Sequence, residues 1–137
     1  MNCCFEDCVQ FDACLGRHSA WQDVFEEFSA LRKPNTDAIA AMALDNYLEM
    51  RERVAHPRFQ LQQALSLELE RRFPQRFIPR YSMVMFHHEI SYQTALERGV
   101  VQARLLADLT EGDVSSLSDI DFERAGREIH SRLAAID

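Results

Sequence analysis

Apolar residues recur at helical spacing along most of this chain. Phe5, Val9 and Ala13 share one side of a helix over residues 4–15, which begins without a cap, as though the chain were entered mid-fold. Ser19 and Gln22 fit a capping box for a second helix running to Leu31, with Trp21, Phe25 and Phe28 as its core face. Pro34 and Asn35 break it, and Asn35 or Thr36 caps a long third helix. Pro57 suits the first turn of the next helix, which buries Phe59, Leu65, Leu69 and Phe73 and stops at Pro74. Residues 80–86 alternate as an extended run, with Tyr81, Met83 and Met85 on one face and Ser82, Val84 and Phe86 on the other. Ser91 caps a helix to about Leu109, with Tyr92, Leu96 and Leu106 inward. The polar stretch 111–120 reads as a linker, and residues 121–137 as a closing helix. The expected fold is mainly α with one or a few short strands, with its main body over residues 1–110.

Two features disturb this simple picture. Ile39, Met42, Ala43, Tyr47, Met50 and Val54 form one helical stripe, and Asn46 falls inside it. A buried side-chain amide costs roughly 1–3 kcal/mol unless the protein or a ligand bonds it. The second feature is the strand at 80–86, which has no partner strand in this sequence. Unpaired backbone groups are costly to bury, so the expectation is a sheet supplied from elsewhere and a chain that is the C-terminal part of something larger.

Composition narrows the function classes. The 137 residues are 47% hydrophobic and 27% charged, which is ordinary for a globular protein. The four glycines are scattered, so no GxGxxG or P-loop exists to cradle a phosphate. A net charge of −7 argues against a nucleic-acid partner. The chain has no apolar run of membrane-spanning length and no signal peptide. Cys3, Cys4, Cys8 and Cys14 match neither a zinc pattern nor a disulfide framework, and read as reduced thiols of a cytoplasmic protein, packing as small apolar residues. His87 and His88, adjacent on a strand, would point to opposite faces, so no metal is expected.

Three ordered blocks carry a resemblance. Leu31-Arg32-Lys33-Pro34-Asn35-Thr36-Asp37-Ala38-Ile39-Ala40, Asp45-Asn46-Tyr47-Leu48-Glu49-Met50-Arg51 and Arg76-Phe77-Ile78-Pro79-Arg80-Tyr81-Ser82-Met83-Val84 resemble the kynurenine 3-monooxygenase family. The opening Met-Asn-Cys-Cys-Phe-Glu-Asp-Cys is similar to the flavin-contacting segment of class A flavoprotein aromatic hydroxylases. The resemblance covers about residues 1–110. It implies the C-terminal helical part of an α+β flavoprotein hydroxylase, without the Rossmann-like FAD-binding part. The family hydroxylates L-kynurenine at the ring 3-position with FAD, NADPH and O₂; the cofactor carries the chemistry, while the protein orients substrate and excludes water.

Carried over by motif, Asn46 contacts substrate, Met50 lines the ring pocket, and Tyr81 bonds the amino-acid carboxylate. Glu49 shares the helix face of Asn46 and Met50 and joins these residues as a substrate-binding candidate; its alternatives are a solvated carboxylate or a pair with Arg53. Met1 and Asn2 would face the isoalloxazine through their backbone. No catalytic residue is assigned. Cys3-Cys4 stand where the family has Ala-Gly, and Met85-Phe86-His87 where it has Thr-Phe-Ser. The Gly-rich βαβ unit and the arginine that pairs with the substrate carboxylate have no counterpart here. The expectation is a fragment that supplies pocket residues, is inactive alone, and is completed by an N-terminal FAD-binding part. The alternative is a small acidic helical binding module without catalysis.

Overall fold

The structure is a computed structural model that describes residues 2–136. Six α-helices follow one another: α1 (Asn2–Arg17), α2 (Trp21–Leu48), α3 (Pro57–Arg72), α4 (Arg80–Phe86), α5 (Tyr92–Leu109) and α6 (Phe122–Arg132). A π-helical turn, Glu49–Arg53, extends α2, and a 3₁₀ turn, Leu117–Asp119, precedes α6. Local chemistry explains several boundaries. Ser91 accepts a bond from the Thr94 amide, and Asp121 accepts from the Glu123 and Arg124 amides. Pro57 opens α3, where its missing N–H costs nothing, and His56 Nδ1 accepts from the Arg58 amide.

Helix α5 is the spine. Its N-terminal half gives Tyr92 and Ala95 to a core with Ala38, Met42, Ile78, Met83 and Ile90. Its C-terminal half gives Leu105 and Leu109 to a second core with Leu65, Leu69, Phe77, Ile120, Ala125, Ile129 and Leu133. Val114 and Leu117, from the segment before α6, pack on that second core. Each fully buried leucine contributes roughly 1.5–3 kcal/mol of transfer free energy.

A buried cation ties α1 to this frame. Arg32 on α2 donates to Asp7 Oδ1 at 2.6 Å and to Glu6 Oε2 at 3.2 Å. Burial opposes its charge, but the Asp7 bond and the two carboxylates outweigh that and raise its pKa above the ordinary value. Tyr92 on α5 donates its hydroxyl to Glu6 Oε1 at 3.1 Å, so one carboxylate joins three helices.

Several expectations are corrected. Among the described residues there is no strand; residues 80–86 form α4, with Met83 N–H donating to Pro79 O at 2.9 Å. A short apolar run fits either period, and here the helix satisfies the backbone locally, so no external sheet is required. Helix α2 runs through Pro34. The Asn35 and Thr36 side chains bond the carbonyls of Leu31, Arg32 and Lys33 in the disturbed turn, and the Arg32 anchor holds its course. Ala20, not Ser19, stands at the N-cap of α2, with no side-chain bond.

The exposed apolar residues form a second correction. Phe5, Val9, Trp21 and Phe25 face solvent, as do Tyr47, Met50 and Val54 of the α2 stripe. Trp21 stacks on Phe25 and Phe25 on Phe11, with centroids 5.8 and 6.0 Å apart, so the aromatics form a ladder over α1 and α2. Of the cysteines only Cys14 is buried; Cys4 and Cys8 are exposed, and Cys3 is half-buried.

Two outcomes follow. Leu69→Ala lowers unfolding stability by about 2–5 kcal/mol, whereas Trp21→Ala stays within about 0.5 kcal/mol, as urea denaturation will measure. Burial and the Glu6 bond push the Tyr92 phenol up to about 12 from its ordinary 10. The stability it lends is therefore complete below pH 10 and is lost as pH rises towards 12. Tyr92→Phe removes that slope from a stability–pH curve.

Candidate functional site

Helices α2, α4 and α5 cross around a cavity of about 310 Å³, at the lower end of the range of small-molecule sites. Ile39, Met42, Val84, Met85 and Leu106 give it an apolar wall. Asn46, Glu49, Gln63, Arg80 and Tyr81 give it a polar end. Asn46 and Tyr81 are solvent-facing, while Glu49 is half-buried at the start of the π-helical turn. Such turns widen a helix by one residue and recur at functional sites.

The structure thus brings Asn46, Glu49 and Tyr81 to one cavity from two separate segments. Asn46 is exposed, so the buried-amide premise that singled it out does not hold; its place on the cavity wall is what remains. Met50, within the π-helical turn, does not line the cavity and is 66% exposed. Met1 lies outside the described residues, and Asn2 opens α1.

Arg80 was not singled out from the sequence. Its Nη1 donates to Asp45 Oδ2 at 3.0 Å and its Nη2 to Glu49 Oε1 at 3.4 Å, so Glu49 pairs with Arg80 rather than with Arg53. The arginine stem lies across Gly99, where a Cβ would stand 2.7 Å from Arg80 Cδ. Glycine inside a helix costs roughly 0.5–1 kcal/mol, and the close approach of α4 to α5 explains why it is here. A glycine at the centre of an otherwise continuous helical pattern was the available signal. Together the lining offers an Arg80–Glu49 ion pair, amides and a phenol beside apolar side chains.

Over 137 residues the chain is 46% identical to the kynurenine 3-monooxygenase of Stenotrophomonas maltophilia (strain K279a), covering all of this chain and 30% of the relative. It is 43% identical over 133 residues to that of Myxococcus xanthus (strain DK1622), covering 97% of this chain and 28% of the relative. The chain matches the C-terminal portion of kynurenine 3-monooxygenases. It spans about three-tenths of the length of the curated relatives it matches. The match includes the kynurenine 3-monooxygenase of Xanthomonas oryzae pv. oryzae (strain PXO99A), at 42% identity over 137 residues. No protein-family model matches the chain.

None of the four glycines opens a backbone cradle for the pyrophosphate of FAD, the cofactor that the resemblance implies. A flavin pyrophosphate needs converging N–H groups or cations. Gly99 and Gly126 instead face the side chains of Arg80 and Phe73, and Gly16 and Gly112 stand apart in open space. No helix among the described residues is long and apolar enough to cross a membrane.

The Arg80–Gly99 contact is testable by a double-mutant cycle. Gly99→Ala forces the arginine off its two carboxylates. In an Arg80→Ala background the same change becomes stabilising by up to about 1 kcal/mol, so the two effects will be non-additive in urea unfolding.

Proposed function

We propose that this chain supplies part of the substrate pocket of a kynurenine 3-monooxygenase and works when joined by the FAD-binding part of that fold. The observation that carries the reading is the convergence on one cavity of Asn46 and Tyr81, carried over by motif from separate segments, with Glu49, named from the helix face it shares with Asn46. In this reading the apolar wall takes the aminophenyl ring of L-kynurenine. Tyr81 and Asn46 bond the amino-acid carboxylate, and Glu49, steadied by Arg80, faces the ammonium group. Met50, on the outer side, has no part in the pocket of the isolated chain.

NADPH and O₂ act through FAD, and FAD supplies the redox chemistry from outside this chain. The chain's own contribution is binding, orientation and exclusion of water. The exposed aromatic ladder on α1 and α2, with Phe5 66% and Trp21 63% exposed, is then the face that the FAD-binding part covers. By itself the chain does not turn over substrate. A cytoplasmic setting suits its unpaired cysteines.

The test is to co-express the chain with the part of the Stenotrophomonas relative outside the matched segment. The reading predicts a complex that retains FAD and oxidises NADPH in response to L-kynurenine, forming 3-hydroxykynurenine. Asn46→Ala or Tyr81→Phe should raise KM about tenfold, the loss of one hydrogen bond, with kcat little changed. A complex that turns over with no response to either change overturns the pocket assignment. A chain that ignores its complement and unfolds cooperatively alone supports the other reading, an acidic helical binding module.

A further inference from the structure

Residues 73–79 join α3 to α4 without regular structure, yet they decide where α4 begins. Helix α4 has seven residues, of which only Met83 is buried. So short a helix does not hold its own position, and what precedes it matters.

Four hydrogen bonds hold this connection, from two directions, and a fifth ties the tail to α5. From α5, Gln102 Nε2 donates to Ile78 O at 2.8 Å, and Arg98 Nη2 donates to Arg76 O at 2.6 Å. From the tail after α6, Ile136 N–H donates to Gln75 O at 2.8 Å. Arg76 Nη1 donates back to Leu133 O at 2.9 Å, and Arg98 Nη2 reaches Ala134 O at 3.0 Å. Leu133 is buried in the α3–α6 core, while Ile136 packs against the other core, the one that holds Met83. The tail therefore runs from one core to the other across the connection.

Arg98 is the unusual member. Among the described residues its hydrogen bonds go to main-chain carbonyls and none to a carboxylate, and its Nε is buried without a partner there. Burial, with Arg76 nearby, lowers its pKa. A half-buried cation without a counter-ion is a poor way to stabilise a fold. Its geometry instead joins two pieces of main chain, the tail and the turn before α4.

We propose that residues 133–136 are a strap which, through Arg98 and Arg76, positions the 75–79 turn and hence the α4 wall of the cavity. That wall carries Pro79, Arg80, Tyr81, Val84 and Met85. The strap rests on the pocket reading only for its purpose. Its test reads the backbone, so a failure to bind L-kynurenine and a failure of the strap are distinct results.

Amide hydrogen exchange on the full chain, on a chain ending at Leu133, and on Arg98→Met and Arg98→Lys tests it. The truncation also removes the Ile136 side chain from the Met83 core, so Ile136→Ala in the full chain, which keeps the main-chain bond to Gln75, is its control; the truncation stands in if Arg98→Met fails to fold. Truncation and Arg98→Met should each speed exchange about tenfold at residues 76–87, the loss of roughly one hydrogen bond, while α3 and α6 stay within about twofold. Arg98→Lys, which keeps a donor for the carbonyls, should restore most of the protection. Unchanged exchange at 76–87, an equal rise in every helix, or no rescue by lysine overturns the strap.

Discussion

The close approach of α4 to α5 at Gly99 is the constraint on which the site depends. Without a Cβ at that position, the Arg80 stem lies flat on α5 and its guanidinium reaches Asp45 and Glu49 on α2. Three helices are thereby tied at one point, and the cavity is the space left between them. Helix α5 can act as this floor because it is itself fixed at both ends, by one core around Ala95 and another around Leu105. A helix that belonged to only one core could tilt, and the cavity would change with it.

How much of this was legible in the sequence divides along physical lines. Features set by a few neighbouring residues read correctly: the Ser91 cap, Pro57 at the start of α3, and the end of that helix before Pro74. Features decided by distant partners did not. Pro34 is a local break signal, but Arg32, bound to Asp7 and Glu6 of α1, keeps α2 going through it. Residues 80–86 are apolar in almost any register, so their alternation could not separate strand from helix. Apolar periodicity named faces on α1 and α2 without saying whether this chain covers them, and Phe5, Val9, Trp21 and Phe25 are left exposed.

The candidate site divides in the same way. Asn46 and Tyr81 were reachable because a motif travels with its sequence, and Glu49 because it shares a helix face with Asn46. Arg80 and Gln63 line the cavity only because separate helices cross there, which no spacing along the chain encodes. Met50 shows the reverse case: the helical stripe placed it beside Asn46, yet it is exposed and does not line the cavity. Homology to kynurenine 3-monooxygenases over about three-tenths of their length gives these observations one setting.

The most direct measurement is a crystal structure of the chain assembled with the FAD-binding part and soaked with L-kynurenine. The account predicts the aminophenyl ring against Met42 and Leu106, with the amino-acid end within hydrogen-bond reach of Asn46 and Tyr81. L-kynurenine bound away from the α2–α4–α5 crossing would contradict it.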